Sequence, residues 1–496
     1  MHKRNIVFLL LLLSFQGFAQ QDPVAVNYAS TITAAELKAN LSIIASDAME
    51  GRETGKRGQK MAAAFISFTF QELGLSAPVN GTYYQPVPLY SAGISDVTLK
   101  ANNAELDKNE FAYLGTTETG GLVELPMVWV GKGTDEELAK LTITGKAVAM
   151  LADASVNPMN NPTVTALREK GAKMVFVVVE KEEDFTRIAN RARGASEGRL
   201  SISKPGTQSS NPGIFFLTWS AAGKMFNTSA DNLKKVTTDK KLTKIKPATV
   251  IYSVTSSVKE VKTENVLGFL EGTDKKDEVV VITAHYDHIG ISARAEGDKI
   301  NNGADDDGSG TVAVLAMAKA FAQAKKEGNG PRRSILFMTV TGEEKGLLGS
   351  LYYTDNPIYT LESTVVNLNI DMIGRSDPQH KSSAPYVYVI GSDKLSTELH
   401  TLSENVNKTY HNLVFDYTYN DQNHPDRLYY RSDHWNFAKK NIPIIFYFDG
   451  IHEDYHKVSD EVGKIEFDLL TKRTQTVFYT AWEIANRDKR LAVDKK

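Results

Sequence analysis

Acidic residues and histidines gather in five short segments between residues 284 and 460 of this 496-residue chain. Taken singly, each segment is also explained by polarity at a strand end or by helix capping, for which Asp, Ser and Glu are well suited. Five such segments in one half of the chain are harder to explain in this way. The segments are "AHYDHIG" (284–290), "NNGADDDGSG" (301–310), "TGEEKGLLGS" (341–350), "NIDMIG" (369–374) and "HEDYHKVSD" (452–460).

The donor types in these segments indicate a metal-dependent hydrolytic centre. Carboxylates crowded at one place repel one another unless a cation neutralises them. The chain has no Cys, which excludes thiolate zinc sites, disulfides and Cys nucleophiles. Imidazole and carboxylate ligands suit zinc, and less well manganese or cobalt. The donors outnumber the needs of one tetrahedral ion, whereas two ions about 3.5–4 Å apart, bridged by one carboxylate, would use them.

A mostly parallel β-sheet is predicted to bring these segments together. From residue 262 onward short apolar segments alternate with helical ones, the clearest helix being "SGTVAVLAMAKAFAQAKKEG" (309–328). This alternation is typical of an α/β fold whose sheet is covered by helices on both faces. Ligands of such sheets bind beyond the carboxyl ends of the strands, where the polar segments lie. The predicted strands are "EVVVITA" (278–284), "RSILFMTV" (333–340), "TVVNLNID" (364–371), "YVYVIG" (386–391) and "IPIIFYF" (442–448).

The rest of the chain is predicted to divide into an N-terminal helical part and an inserted domain. Residues 20–90 contain the helical patterns "TAAELKANLSIIASDAME" (33–50) and "GQKMAAAFISFTFQELGL" (58–75), and we assign them to the same domain as residues 245–496. Residues 91–244 combine short buried strands, a helix near "NPTVTALREKG" (161–171) and polar loops. They predict a separate, smaller β-rich or α/β domain.

The first 19 residues have the order of a secretory signal. A basic start precedes the apolar run "IVFLLLLLSF" (6–15) and the small residues Gly17 and Ala19, which predicts cleavage after Ala19. The apolar run is too short to span a bilayer comfortably. We therefore expect an exported protein, periplasmic or secreted, with no transmembrane segment after signal removal. The formal net charge of −3 offers no basic face for nucleic acid.

In their order and content, the five polar segments resemble the motifs of the co-catalytic zinc aminopeptidases. The clan also includes glutamate carboxypeptidase, the transferrin receptor ectodomain and glutaminyl cyclases. The resemblance covers about residues 262–485, together with "SDAMEGRETGKRG" (46–58). Less sharply, residues 91–244 resemble the protease-associated domain that many members insert. The resemblance implies the zinc exopeptidase fold and an aminopeptidase that acts on peptides with a free N-terminus.

The resemblance also implies a set of metal ligands and catalytic groups. One zinc ion would be bound by His285 and Asp371, and the other by Glu344 and His456. Asp306 would bridge the two ions. These residues come from all five polar segments.

Further roles follow from the same resemblance. Glu343 would be the general base that accepts a proton from the bridging water, and Asp287 would hydrogen-bond His285 and fix its tautomer. In "YYRSDHW" (429–435), Tyr429 would stabilise the oxyanion, with the neighbouring Tyr430 as an alternative. Asp460 would support His456 as Asp287 supports His285. The residues interpreted as lying at the site without binding metal are His288, His452, Asp433 and His434.

Three other functions compete with the aminopeptidase hypothesis. A carboxypeptidase or dipeptidase would need cations for a substrate carboxylate, and no arginine cluster is recognisable, although Arg375, Arg427 and Arg431 lie near the polar segments. A glutaminyl cyclase would use one zinc ion, whereas the full set of ligands here favours two. A binding module like the receptor relatives would have lost ligands, and none is lost here.

Overall fold

The structure is a computed structural model that describes residues 20–102, 104–115, 117–152, 161–196, 199–204, 213–292, 295–381 and 383–495. The predicted signal segment, 1–19, lies outside the described residues. The chain divides into two compact units, one comprising the chain up to Val87 and again from Lys262 onward, the other being Pro88–Val261. The second unit extends beyond the predicted 91–244 because residues 248–252 pair with the strand Val123–Trp129.

The sheet of the first unit has the mixed, mostly parallel arrangement that the sequence predicts. Its central strand, Lys275–His285, pairs in parallel with a neighbour on each side. Antiparallel pairs occur further out on both sides. In order across the sheet the strands are Val414–Asp416, Tyr386–Ile390, Ile444–Phe448, Thr364–Ile370, Lys275–His285, Arg333–Val340 and the end of Ala248–Leu270.

The register of the parallel strands brings their carboxyl ends to one edge of the sheet. His285 lies opposite Val340 in one pair, and Thr283 lies opposite Asn369 in the other. The two acid-bearing segments that follow these neighbouring strands therefore emerge beside His285. This alignment explains how polar segments far apart in sequence can meet.

Helices cover both faces of this sheet. Alternate residues of the central strand point to opposite faces, so that Ile282 packs into one hydrophobic core and Val281 into the other. The first core also contains Phe70 and Phe321, and the second contains Tyr353 and Phe437. The helices are Pro23–Ala29, Ala34–Ile44, Arg57–Glu72, Gly310–Lys326, Leu348–Asp355, Thr397–Tyr410, His434–Ala438 and Phe467–Asn486, with short turns at Asp47–Arg52, Ala304–Ser309, Thr418–Asn420, Leu428–Tyr430 and Val462–Lys464.

The second unit has a mixed sheet of its own. Residues 248–252 of the strand Ala248–Leu270 begin it, followed by Val123–Trp129, Ala147–Ala152, Met174–Val179, Ile214–Leu217 and Phe111–Leu114. The other strands that reach into it are Tyr84–Ala101, Ala104–Glu105 and Arg199–Ser201. Its helices are Asp135–Leu138, Pro162–Glu169, Glu182–Ser196, Trp219–Met225, Ala230–Thr238 and Leu242–Lys244. The resemblance of this unit to a protease-associated domain stays a prediction.

Two further predictions concern helices. The helix predicted near residues 161–171 is Pro162–Glu169, and the Asn161 side chain begins it by accepting a hydrogen bond from the N–H of Thr163 at 2.9 Å. Among the described residues, no helix is both long enough and apolar enough to cross a membrane.

Candidate metal centre

His285 points its Nε2 atom at carboxylates from two other segments. Nε2 lies 3.2 Å from Asp306 Oδ1 and 3.5 Å from Asp371 Oδ1, and all three residues are buried. The Nδ1 atom lies 3.0 Å from the main-chain oxygen of Asp287. A carbonyl oxygen only accepts, so Nδ1 carries a proton, and in the neutral ring the Nε2 lone pair faces the acids. Ser432 Oγ donates to the second oxygen of Asp371 at 2.7 Å.

The second oxygen of Asp306 faces a different group. Asp306 Oδ2 lies 3.1 Å from His456 Nε2, and His456 Nε2 in turn lies 3.2 Å from Glu344 Oε2. The side chain of His456 is 38% exposed, whereas those of Asp306 and Glu344 are buried. Asp306 thus presents one oxygen to each of two clusters, which is the arrangement a carboxylate needs to bridge two cations.

Several buried donor atoms at this place have no hydrogen-bond partner among the described residues. Buried polar atoms nearly always have partners, so these atoms fit a site whose missing partner is a cation. Imidazole and carboxylate without thiolate is a donor set that fits zinc. Such donors form two groups, in each of which the ligand atoms lie within 4.8 Å of one another: His285 with Asp306 and Asp371, and His288 with Asp306 and Glu344. The unpartnered atoms are His285 Nε2, Asp306 Oδ2, Glu344 Oε1 and both ring nitrogens of His288.

The acids and imidazoles shift each other's proton affinity. Burial opposes the charge on His285, but the carboxylates of Asp371 and Glu343 raise its pKa well above the ordinary value. Burial likewise opposes the charge on Asp306, yet the adjacent imidazoles of His285 and His456 hold its pKa well below the ordinary value. Against burial, Asp306 and Glu344 raise the pKa of His456 to about 10. Protons on imidazoles therefore neutralise part of the negative charge that a cation would neutralise.

Glu343 lies beside the donor cluster without belonging to either group. Its Oε2 is 4.0 Å from His285 Nε2, and its N–H donates to Asp287 Oδ1 at 3.3 Å. Burial, joined by the charges of Asp371 and Glu344, raises the pKa of Glu343 well above the ordinary value. A buried carboxylate with raised proton affinity is the kind of group that accepts a proton in general-base catalysis.

Carboxylates bonded to main-chain N–H groups hold the loop that carries Asp306. Asp460 Oδ2 accepts from the N–H of Asp306 at 3.1 Å. Asp307 accepts from the N–H of His285 at 3.1 Å and from that of Met372 at 3.0 Å. The bridging position is therefore tied to the segments that carry His285 and Asp371.

Arg52 also holds the segments around His285 and Asp306 together. The sequence did not point to this residue. Its side chain is fully buried and its guanidinium donates only to main-chain carbonyls. Three consecutive residues, Glu50, Gly51 and Arg52, have positive φ, and a Cβ on Gly51 would lie 2.5 Å from the carbonyl oxygen of Asn301. The segment "SDAMEGRETGKRG" (46–58), which contains Arg52 and shares in the family resemblance, was the available signal. The acceptors, at 2.6–2.9 Å, are the carbonyl oxygens of Tyr286, Ile44, Asn302 and Gly303.

The structure brings together all five predicted ligand residues and Glu343, but two supporting contacts differ from the prediction. The Asp287 carboxylate is 3.9 Å from His285 Nδ1, because that nitrogen points at the main-chain oxygen instead. The Asp287 carboxylate accepts from Thr54 Oγ1 at 2.6 Å. Asp460 binds the main-chain N–H groups described above and does not support His456.

The histidine and tyrosine assignments also differ. His288, predicted to have no ligand role, is fully buried, with Nδ1 2.8 Å from Glu344 Oε1. Tyr429, predicted to stabilise the oxyanion, is 4% exposed and packs in a hydrophobic core, where burial and Tyr430 raise its pKa to about 12. The tyrosine that faces the site is Tyr455, whose ring stacks on His456 with centroids 3.9 Å apart. Its place directly before a predicted ligand was the signal that could have found it.

A cavity of about 30 Å³ adjoins the donor cluster. Asp306, Glu343 and Asp371 form one wall, and Tyr455 and Arg431 contribute to the others. Its apolar lining consists of Met372, Leu428, Phe446, Phe448 and Ile451. A small apolar group beside the carboxylates would be well accommodated here.

An α/β sheet with acids and imidazoles gathered at its carboxyl edge is an arrangement suited to a metal-dependent hydrolase, and the comparisons with known proteins agree with it. Residues 265–481 match the model of peptidase family M28. Residues 265–481 therefore form a peptidase M28 domain. The resemblance stated from the sequence is thereby confirmed, apart from the inserted domain.

Curated relatives match part of the chain. Aminopeptidase YwaD of Bacillus subtilis is 27% identical over 241 residues, which is 47% of this chain and 47% of the relative. A probable glutamate carboxypeptidase of Arthroderma benhamiae is 31% identical over 132 residues, 26% of this chain and 17% of the relative. The chain spans about half or less of the curated relatives it matches.

Two solved structures share the fold over most of the chain. An aminopeptidase from Aneurinibacillus sp. strain AM-1 has a TM-score of 0.52 at 18% identity, covering 95% of this chain and 98% of that one. BSAP, a zinc aminopeptidase from Bacillus subtilis, has a TM-score of 0.51 at 18% identity, covering 94% and 98%. At this identity the likeness concerns the fold alone.

Proposed function

We propose that this protein is an exported zinc aminopeptidase with two metal ions, which hydrolyses the N-terminal peptide bond of peptides. The single observation that carries the proposal is Asp306, whose two carboxylate oxygens face two separate His-containing groups. His285 and Asp371 would hold one zinc ion, and Glu344 and His456 the other. When bound, the ions would supply Lewis-acid polarisation of the scissile carbonyl and a water that loses its proton readily.

Two residues of the protein would transfer the proton of the attacking water and stabilise the negative charge that develops on the scissile carbonyl oxygen. Glu343 accepts the proton of the attacking water and later delivers it to the leaving amine, and its raised pKa suits both steps. The hydroxyl of Tyr455 donates to the oxyanion, a role we transfer from Tyr429 because Tyr455 is the tyrosine that lines the cavity. Burial, together with nearby Asp306 and Glu344, raises the pKa of Tyr455, so its hydroxyl keeps its proton.

The free amine of the substrate would be held by the acids. Glu343 and Asp371 both border the cavity and would attract an ammonium group. The first side chain would lie against Met372 and Phe446. A cavity of about 30 Å³ favours a small apolar residue there.

Amino-terminal specificity is tested with matched blocked substrates. Purified protein should release p-nitroaniline from alanyl and leucyl anilides, with the alanyl anilide preferred, and should leave their N-acetyl forms intact. A chelator should abolish turnover, and added zinc should restore it. Equal turnover of free and N-acetylated anilides would refute the aminopeptidase assignment. Pyroglutamate formation from N-terminal Gln peptides would instead favour the glutaminyl cyclase alternative.

Arg431 favours a second candidate, a dipeptidase or carboxypeptidase. It lines the cavity, and among the described residues its guanidinium has no ion pair or side-chain hydrogen bond. The other two arginines near the site are engaged, since Arg375 pairs with Asp454 at 3.1 Å and Arg427 lies over the ring of Tyr430 at 4.9 Å. A free guanidinium suits the carboxylate of a short peptide. Rapid hydrolysis of free dipeptides together with slow hydrolysis of dipeptide amides would support this candidate.

A further inference from the structure

His288 lies inside the donor cluster, although its sequence position gave it no ligand role. Its side chain is fully buried. Nδ1 is 2.8 Å from Glu344 Oε1 and 3.8 Å from Asp306 Oδ2. The main chain fixes this placement, because the N–H of His288 donates to the carbonyl of Arg52 at 3.1 Å. The ring also packs on Gly303, where a Cβ would come within 2.5 Å of it.

The approach of His288 to Glu344 is not a hydrogen bond. The two atoms are close enough, but neither has a hydrogen-bond partner among the described residues, so the angles between them are unsuitable. His288, Asp306 and Glu344 each offer a ligand atom, and these three atoms lie within 4.8 Å of one another, so that one cation could be within reach of all three. A buried imidazole with two unpartnered nitrogens is costly, and binding a cation there would remove part of the cost.

We propose that His288 is a further ligand of the metal ion held by Glu344 and His456, through Nδ1. The inference rests on the proposed two-ion centre and adds to it an asymmetry. One ion would have two imidazole ligands, from His288 and His456, whereas the other would have only that of His285. Imidazole suits zinc, copper and nickel, and carboxylate suits manganese and magnesium. The position with two imidazoles would therefore bind zinc more tightly, and the other would exchange its ion more readily and accept manganese.

The number of imidazoles on each ion can be counted directly. The full chain, labelled with ¹⁵N-histidine and freed of metal, is loaded with ¹¹³Cd²⁺, and its ¹¹³Cd NMR spectrum is recorded. Each bound ¹⁵N splits the cadmium resonance. We expect two resonances, one a triplet from two nitrogens and the other a doublet. Two doublets would overturn the role of His288 while leaving the two-ion proposal intact, and a single resonance would overturn the two-ion proposal itself.

A variant pair assigns the splitting to His288. His288→Gln should convert the triplet to a doublet and weaken the binding of that ion by about tenfold or more, measured by zinc titration of the metal-free protein. His434→Gln is the matched control, because His434 is equally buried but its Nε2 bonds the carbonyl of Tyr429 at 2.8 Å. The control should keep both multiplets. A triplet that persists in His288→Gln would overturn the assignment, and the wild-type count decides the question even where a variant folds poorly.

Discussion

Replacing Glu343 by Gln separates proton transfer from metal binding at this site. The change keeps the size and hydrogen-bonding capacity of the side chain and removes the proton acceptor. Glu343 Oε2 lies 4.0 Å from His285 Nε2 and outside both donor groups, so both ions of the proposed centre should stay bound. General-base catalysis contributes roughly 10²- to 10⁴-fold, which corresponds to about 3–5 kcal/mol of the activation barrier. We expect kcat to fall by that factor.

The adjacent residue provides the matched control. Glu344→Gln makes the same chemical change one residue later, but Glu344 Oε2 is 3.2 Å from His456 Nε2 and Oε1 is 2.8 Å from His288 Nδ1. This variant should lose one equivalent of zinc after dialysis, whereas Glu343→Gln should retain the wild-type content. Turnover of alanyl anilide and zinc content by mass spectrometry are measured on the same samples. A Glu343→Gln enzyme with kcat within tenfold of wild type, or with lost zinc, would refute the reasoning.

Three further predictions concern residues around the centre. Arg431→Gln should raise KM for free dipeptides about tenfold and leave aminoacyl anilides unaffected if its guanidinium binds a carboxylate; equal effects on both substrates would argue against this. Burial lowers the pKa of His434 to about 3. Below about pH 6.5 the imidazole is therefore protonated in the unfolded chain but stays neutral in the folded protein, and the stability of the fold decreases as the pH falls. Between pH 7 and pH 5, His434 should lower the free energy of unfolding, measured with urea, by about 2 kcal/mol. His434→Gln should remove this part of the pH dependence, and an unchanged pH dependence in the variant would contradict the prediction. Arg52→Lys keeps the charge but reaches fewer of the four carbonyls, so stability should fall by about 3 kcal/mol, and a loss below about 1 kcal/mol would show that the carbonyls find other partners.

The sheet of the first unit was predictable because its strands are nearly continuous apolar runs. "RSILFMTV" is the strand Arg333–Val340, and "TVVNLNID" ends one residue beyond the strand Thr364–Ile370. Burial on both faces requires such runs. The first predicted helix was too long, because the chain leaves the helix at Ile44 and then turns with positive φ at Glu50 and Arg52. Periodicity indicates which face of a helix is apolar. It gives little information on where the helix ends, which here is at Ile44, whose carbonyl accepts a hydrogen bond from the buried Arg52 side chain.

Within the site, residues of a motif were easier to predict than the contacts among them. A ligand is recognisable from its type and position, so His285, Asp306 and His456 could be named in advance. Which atom of a neighbour receives a hydrogen bond depends on backbone direction, and for this reason the carbonyl of Asp287, not its carboxylate, accepts from His285. The approach of His288 to Glu344 was not predicted for the same reason, because only the fold brings the two side chains together.

The candidate metal centre holds more carboxylates than imidazoles, so another group must offset the repulsion among the acids when no cation is bound. Arg52 is suited to that task. Its guanidinium bonds carbonyls of three different segments and no carboxylate, while its positive charge is felt by Asp306 and Asp460. Because the guanidinium N–H groups bond main-chain carbonyls, Arg52 can offset the negative charge of the acids without occupying a ligand oxygen. An arginine bonded to these carboxylates would instead compete with a cation for the same oxygen atoms.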